Sequence, residues 1–196
     1  MSDKSKEKWQ IYRANGEPIM NGGITANEWN KASHELQFCS IVRVWLYRRT
    51  TTGVEILFQH RAHGVDHFPD QWDVSAGGHI NYEETRIEAA IRESKEEIGV
   101  EINSDELFYG FTTIGEGSTT IKHTFFCDWT NRDPVFSFND HEVQAVQWIA
   151  FSRIDTFRKQ FVKASLAQDN NYFTLLKTWL AENASVDRAV IRRTLH

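Results

Sequence analysis

Three glutamates, Glu93, Glu96 and Glu97, fall within five consecutive positions. A helix turns about 100° per residue, so positions three and four apart are surface neighbours. On a helix these carboxylates therefore crowd onto one small patch. Like charges that close repel and cost stability. A divalent cation turns that cost into binding. Mg2+ or Mn2+ suits the donors: hard cations take carboxylate oxygens, keep several waters, and let substrate phosphates replace some of those waters. The competing reading is a solvated acidic face, partly neutralised by Arg92 and Lys95.

The patch sits in "GGHINYEETRIEAAIRESKEEIGV", residues 77–100, which holds six glutamates behind a pair of glycines. The spacing predicts a helix over 83–98. Ile87, Ala90, Ile91, Ser94 and Ile98 form its buried stripe, the glutamates lie well away from it, and Gly99 caps its end.

Strands must position that helix. "WQIYRANGEPI" reads as a hairpin turning at Asn15-Gly16, and "ITANEWNKAS" as a short helix or loop. "QFCSIVRVWLYRR" has apolar residues on both parities and reads as a central buried strand. "TTGVEILFQHR" follows a Thr52-Gly53 turn, and "WDVSAGGHI" runs from a strand into the glycine loop. Three more strands, "ELFYGFTTIG", "TIKHTFFCDW" and "EVQAVQWIAF", precede one or two amphipathic helices after residue 152, with "SVDRAVIRRTLH" as a frayed helix or arm. The order gives an α+β fold, or mixed α/β sandwich.

The chain has 196 residues, 40% of them hydrophobic and 25% charged, which fits one globular domain with terminal embellishments. Its net charge of −5 argues against a nucleic-acid partner, and an acidic protein that handles phosphates needs a bridging cation. The polar start "MSDKSKEKWQ" shows no secretory signal, and no apolar run reaches membrane-span length. Cys39 and Cys127, both in apolar runs, read as buried thiols, so a cytoplasmic protein is expected.

The stretch from Gly78 resembles the Nudix box. That pattern runs Gly, five residues, Glu, seven residues, Arg-Glu, an aliphatic, any residue, Glu-Glu, any residue, Gly, an aliphatic. Gly78, Glu84, Arg92, Glu93, Glu96, Glu97, Gly99 and Val100 match, and Ser94 stands where an aliphatic is usual. Ser94 is on the buried stripe, so its effect should be looser packing and not a lost ligand. The resemblance implies an α/β/α sandwich with a mixed sheet and a catalytic loop-helix-loop, covering residues 36–155. Residues 1–35 and 156–196 then pack on it. It also implies hydrolysis of a nucleoside diphosphate linked to another moiety, with a small diphosphate substrate and sometimes a homodimer. By it, Glu93, Glu96 and Glu97 are metal ligands with the Gly78 carbonyl. Glu96 or Glu97 activates water, Arg92 orients a carboxylate, and Glu84 pairs with Arg92 or braces the loop.

The flanks "IYRANGEPI", "FPDQWDVSAGGHI" and "NDHEVQAVQWI" resemble the isopentenyl-diphosphate isomerase-like subgroup. The resemblance puts a catalytic cysteine of the isomerases at Gly77, and two acids at Ile121 and His123 by ungapped alignment. Those groups are missing here, whereas the box is nearly complete, which favours hydrolysis over isomerisation. A non-catalytic nucleotide-binding module is a third reading, and the intact glutamates argue against it. His34 and His79 match the isomerases' second metal positions and read mainly as pocket or packing residues. His79 could still face the phosphates. His123 is a core residue or substrate contact, and Arg61 a phosphate clamp or surface ion pair. Glu142 falls where many Nudix hydrolases carry a further carboxylate, as ligand, general base or plain strand start. Trp72, Phe68 and Trp148 could stack a base or serve the core.

Overall fold

The computed structural model describes residues 6–31, 36–132, 135–161, 166 and 169–184. Nine strands lie in one mixed sheet among these residues. They are β1 (Lys8–Arg13), β2 (Pro18–Thr25), β3 (Gln37–Thr50), β4 (Gly53–Arg61), β5 (Trp72–Asp73), β6 (Ala76–His79), β7 (Leu107–Ile114), β8 (Thr120–Asp128) and β9 (Val143–Ala150). The helices are α1 (Ala26–Lys31), α2 (Arg86–Ile98), α3 (Ile154–Phe161) and α4 (Asn170–Asn183). None is long and apolar enough to cross a membrane.

The long strand β3 organises the sheet. It pairs antiparallel with β1, β6 and β4 in succession along its length, and parallel with β8 along its other edge. Its side chains are buried on both parities, as its sequence predicts, because helices cover both faces. Val42, Val44, Leu46 and Leu57 pack with Ala89, Ala90 and Ile98 of α2. On the opposite face Trp45, Tyr47, Phe58 and Phe126 pack with α3 and α4 through Phe157, Tyr172 and Leu176. The Trp45 indole N–H donates to the Tyr172 hydroxyl at 2.7 Å, so that apolar layer carries a satisfied polar link. The expected sandwich is therefore present. Cys39 and Cys127 are buried free thiols. His34 and residues 185–196 lie outside the described residues.

Helix α2 corrects the sequence reading twice. It begins at Arg86, not 83. Thr85 caps it with an extended backbone and a reciprocal capping box to Glu88. Its end is as expected: Gly99 is left-handed at φ 71°, and the Gly99 and Val100 N–H groups bond back to Lys95 and Ser94. The buried stripe is also rotated. Ile87 is 41% exposed, while Glu93 and Glu97 are buried beside Ala90, Ser94 and Ile98. Apolarity alone places isoleucine inward. The small Ala89 and Ala90 instead let the helix sit close to the sheet, polar groups on the sheet bond Glu97, and Arg92 of the same helix bonds Glu93.

Candidate active site

The site forms where α2 crosses the two glycines of β6. Gly77 and Gly78 pair with Arg43 and Val42 of β3. The Gly77 N–H donates to Glu97 Oε2 at 2.8 Å. Gln59 of β4 donates from Nε2 to the same oxygen at 3.1 Å. A buried carboxylate is tolerable only with such partners. Gly78 faces the helix, and a Cβ there would overlap the Glu93 carboxylate. Glycine is thus what allows the backbone to approach this carboxylate.

Arg92 ties the loop to the helix. It grips Glu84 with two prongs, Nε to Oε1 at 2.8 Å and Nη2 to Oε2 at 2.9 Å. Nη2 also donates to the His79 carbonyl at 2.9 Å. Nη1 donates to Glu93 Oε1 at 2.8 Å and to Glu96 Oε2 at 3.2 Å. Burial works against the Arg92 charge, but the Glu84 hydrogen bonds and the Glu93 charge outweigh it and hold its pKa above the usual range. Glu84 also accepts from the Asn81 N–H at 2.8 Å, which fixes the loop ahead of α2.

Glu93 and Glu96 thus meet at one Arg92 nitrogen, while Glu97 turns to Gly77 and Gln59. Among the described residues, no three acid, histidine or cysteine side chains already share one coordination point. Three neighbouring anions separate, and the local guanidinium takes up two of them. The donor chemistry nonetheless fits a hard divalent cation, with carboxylate oxygens and a backbone approach at Gly78.

The remaining candidates divide between the two faces. His123 lies on the α2 face, 8% exposed, with Nδ1 2.9 Å from Thr112 Oγ1. Burial, and then Arg86, push its pKa down to about 4. The His79 ring points away from α2 and stacks on Trp9, with centroids 3.5 Å apart and planes within 2°. Burial, then Arg92, lower its pKa to about 4 as well. Trp72 stacks on His60 and meets Phe157 edge-on, in the layer under α3. Arg61 Nε donates to the His67 carbonyl at 3.1 Å. Glu142 precedes Val143, which pairs with Arg61, so it sits at the end of the strand pair that carries Gln59. Trp148 lies under the Arg48 guanidinium at 4.4 Å, and Phe68 is 40% exposed.

The ladders put Gly77, Arg43 and Thr124 in a single row, with Lys122 in the next row of that face. Ile121 and His123 lie on the other face, and none of these positions holds an acid. Sequence reasoning also missed Gln59, whose only signal is an amide following three apolar residues in β4. It missed the loop's outer brace too. The Gln10 N–H donates to the Ile80 carbonyl at 2.9 Å, and the Tyr82 N–H donates to the Lys8 carbonyl at 2.7 Å.

A family model described as NUDIX domain matches residues 38–169. The chain belongs to the Nudix family. Among curated proteins it is 28% identical over 178 residues to "Nudix hydrolase 3" of Arabidopsis thaliana, covering 86% of this chain and 21% of that protein. It is also 37% identical over 68 residues to an uncharacterised Nudix hydrolase of Clostridium acetobutylicum, covering 35% of this chain and 32% of that one. The chain thus spans only a fifth to a third of these relatives. Among solved structures, a Deinococcus radiodurans protein superposes with a TM-score of 0.65 at 20% identity, covering 83% of this chain and 96% of that one. A Caenorhabditis elegans Ap4A hydrolase complex gives 0.54 at 21% identity, covering 76% and 99%. These likenesses establish a Nudix fold.

Proposed function

We propose that this Nudix chain is a metal-dependent pyrophosphohydrolase. It cleaves the diphosphate linkage of a nucleoside diphosphate joined to a second moiety, or of a similar small substrate, by water attack. The observation that carries this reading is the assembled box. Glu93 and Glu97 are buried against the Gly77-Gly78 strand, Glu97 bonded to the Gly77 N–H and Glu93 to Arg92, which Glu84 clamps. Glu93, Glu96, Glu97 and the Gly78 carbonyl would hold Mg2+ or Mn2+. When bound, the cation neutralises diphosphate charge and makes phosphorus a better target. Glu96 has the most open side chain of its pair, 32% exposed against 6% for Glu93, so it is the carboxylate we assign to the attacking water. Glu96 takes the proton as the water oxygen bonds to phosphorus. The bridging oxygen leaves with the electron pair of the broken P–O bond. Arg92 keeps Glu93 and Glu96 oriented, and Gln59 keeps Glu97 oriented.

Isomerisation is the weaker reading, because the row Gly77, Arg43, Thr124 supplies neither thiol nor acid. A purely binding module is disfavoured by the complete set of box glutamates. The test is a panel of diphosphate compounds with Mg2+ or Mn2+, coupled to phosphate release. Turnover of at least one compound, abolished by EDTA, is expected, and isopentenyl diphosphate should not isomerise. A folded protein inert across the panel contradicts the proposal.

A further inference from the structure

Arg43 stands at the centre of the sheet, on the face turned away from α2. It is 5% exposed, and its Nη1 has no hydrogen-bond partner. Its guanidinium lies 4.6 Å over the Tyr172 ring. A buried cation is costly unless an anion and further hydrogen bonds compensate it. The ring returns part of that cost, because its face is electron-rich, but a ring accepts no in-plane N–H.

Among the described residues no acid on this face is paired with Arg43, and Asp128 of β8 takes Arg49 at 2.6 Å. The row of Arg43 holds Gly77 and Thr124. The next row holds His79, Ile41, Lys122 and Thr113. Of these, Lys122 is a cation, His79 is kept neutral by burial, and the buried Thr113 hydroxyl also has no partner. On the covering helices Glu182 is exposed at the far end of α4, and Asp155 and the cap residue Asp169 are engaged elsewhere. Asp155 takes Arg158 at 3.1 Å and Lys177 at 2.7 Å, and Asp169 caps α4 through the Tyr172 N–H at 2.9 Å. Tyr172 is held as a neutral phenol by burial, and its hydroxyl, which bonds with Trp45, Thr124 and Arg43, offers the guanidinium a dipole and no charge.

We propose that Arg43 is an anion-recognition residue whose buried guanidinium takes a phosphate oxygen of the substrate directly, without a metal, on the sheet face opposite the carboxylate helix. A planar fork matches phosphate oxygens, and low-dielectric surroundings strengthen the contact. The substrate class is then a diphosphate compound bearing a second anionic group beyond the linkage that is cleaved. Identifying the anion with the substrate rests on the hydrolase reading. Anion capture by Arg43 does not.

The sign of the stability change separates binding from bracing. A buried charge with no acid beside it weakens the free protein, so Arg43→Met, similar in length and neutral, should melt at the same temperature as wild type or higher. Inorganic pyrophosphate is titrated into both proteins by calorimetry in EDTA, up to about 10 mM. Wild type should bind, and Arg43→Met should bind weaker by about tenfold or more, with Arg43→Lys between them. Equal affinities, or no wild-type binding, overturn the proposal. So does an Arg43→Met protein that melts lower or fails to fold, since the guanidinium is then a brace for Tyr172. Glu97→Gln, assayed alongside, tests the hydrolase reading separately: it should lose turnover and keep metal-free pyrophosphate binding.

Discussion

Gln59 donates to Glu97 at 3.1 Å from a position in which it is 1% exposed, so one buried amide on β4 fixes one buried carboxylate on α2. The Gly77 N–H donates to the same oxygen at 2.8 Å. The contact holds an α2 carboxylate against the sheet, which makes Gln59 a positioning residue in the proposed site.

Gln59→Leu should remove one donor from Glu97 and unsettle its rotamer. Partners of metal-ligating groups typically cost about 10- to 100-fold in metal affinity or activity when removed. We expect a kcat loss of that order with KM changed less, and a matching rise in the Mn2+ concentration for half-activation. Steady-state kinetics across an Mn2+ series checks both.

Gly78→Ala should do more damage than its size suggests. The added methyl overlaps the Glu93 carboxylate, so either the carboxylate swings away or β6 shifts. Activity should fall by about 100-fold or more, because a small misplacement of a positioned group has that effect. Far-ultraviolet circular dichroism should stay unchanged.

Ser94 departs from the box pattern without leaving a hole. It is fully buried, and its hydroxyl donates to the Ala90 carbonyl at 2.7 Å. Ser94→Ala should change stability by less than about 1 kcal/mol, since such a back-bond within a helix adds little. Ser94→Leu should cost about 1–3 kcal/mol through overpacking. Urea denaturation measures the pair. A stabilising leucine would mean that the site is underfilled.

The two low-pKa histidines predict acid sensitivity. His79 and His123 titrate near about 4 in the folded chain and near the ordinary 6.5 when unfolded. Between those values the unfolded state binds more protons, so stability rises with pH across that window. Their contribution is complete above about 6.5 and disappears as pH falls toward about 4. Unfolding free energies of wild type and His123→Asn, compared from pH 4 to pH 7, should converge at the acidic end.

Much of this was legible in the sequence. Apolar residues on both parities identified β3, Asn15-Gly16 marked the hairpin, and the spacing of Gly78, Glu84, Arg92 and Glu93 marked residues that the fold brings into contact. The misses share a cause. Glu97 points inward because the sheet opposite α2 presents an amide and a glycine N–H beside its apolar side chains, while Ile87 is left outward. Hydrophobic periodicity on one helix carries no information about what faces it. The Trp9–His79 stack and the buried Arg43 arise from strand register between segments remote in sequence, which local patterns do not encode.

The central claim is that the α2 carboxylates grip a divalent ion that holds a diphosphate for cleavage. Mn2+ binding by wild type and by Glu97→Gln, titrated with turnover of the best panel substrate followed in the same samples, tests it most directly. The account predicts that wild type binds and turns over, and that Glu97→Gln, folded to the same extent, loses Mn2+ affinity and turnover together. Turnover that survives in Glu97→Gln, or that proceeds in EDTA, contradicts it.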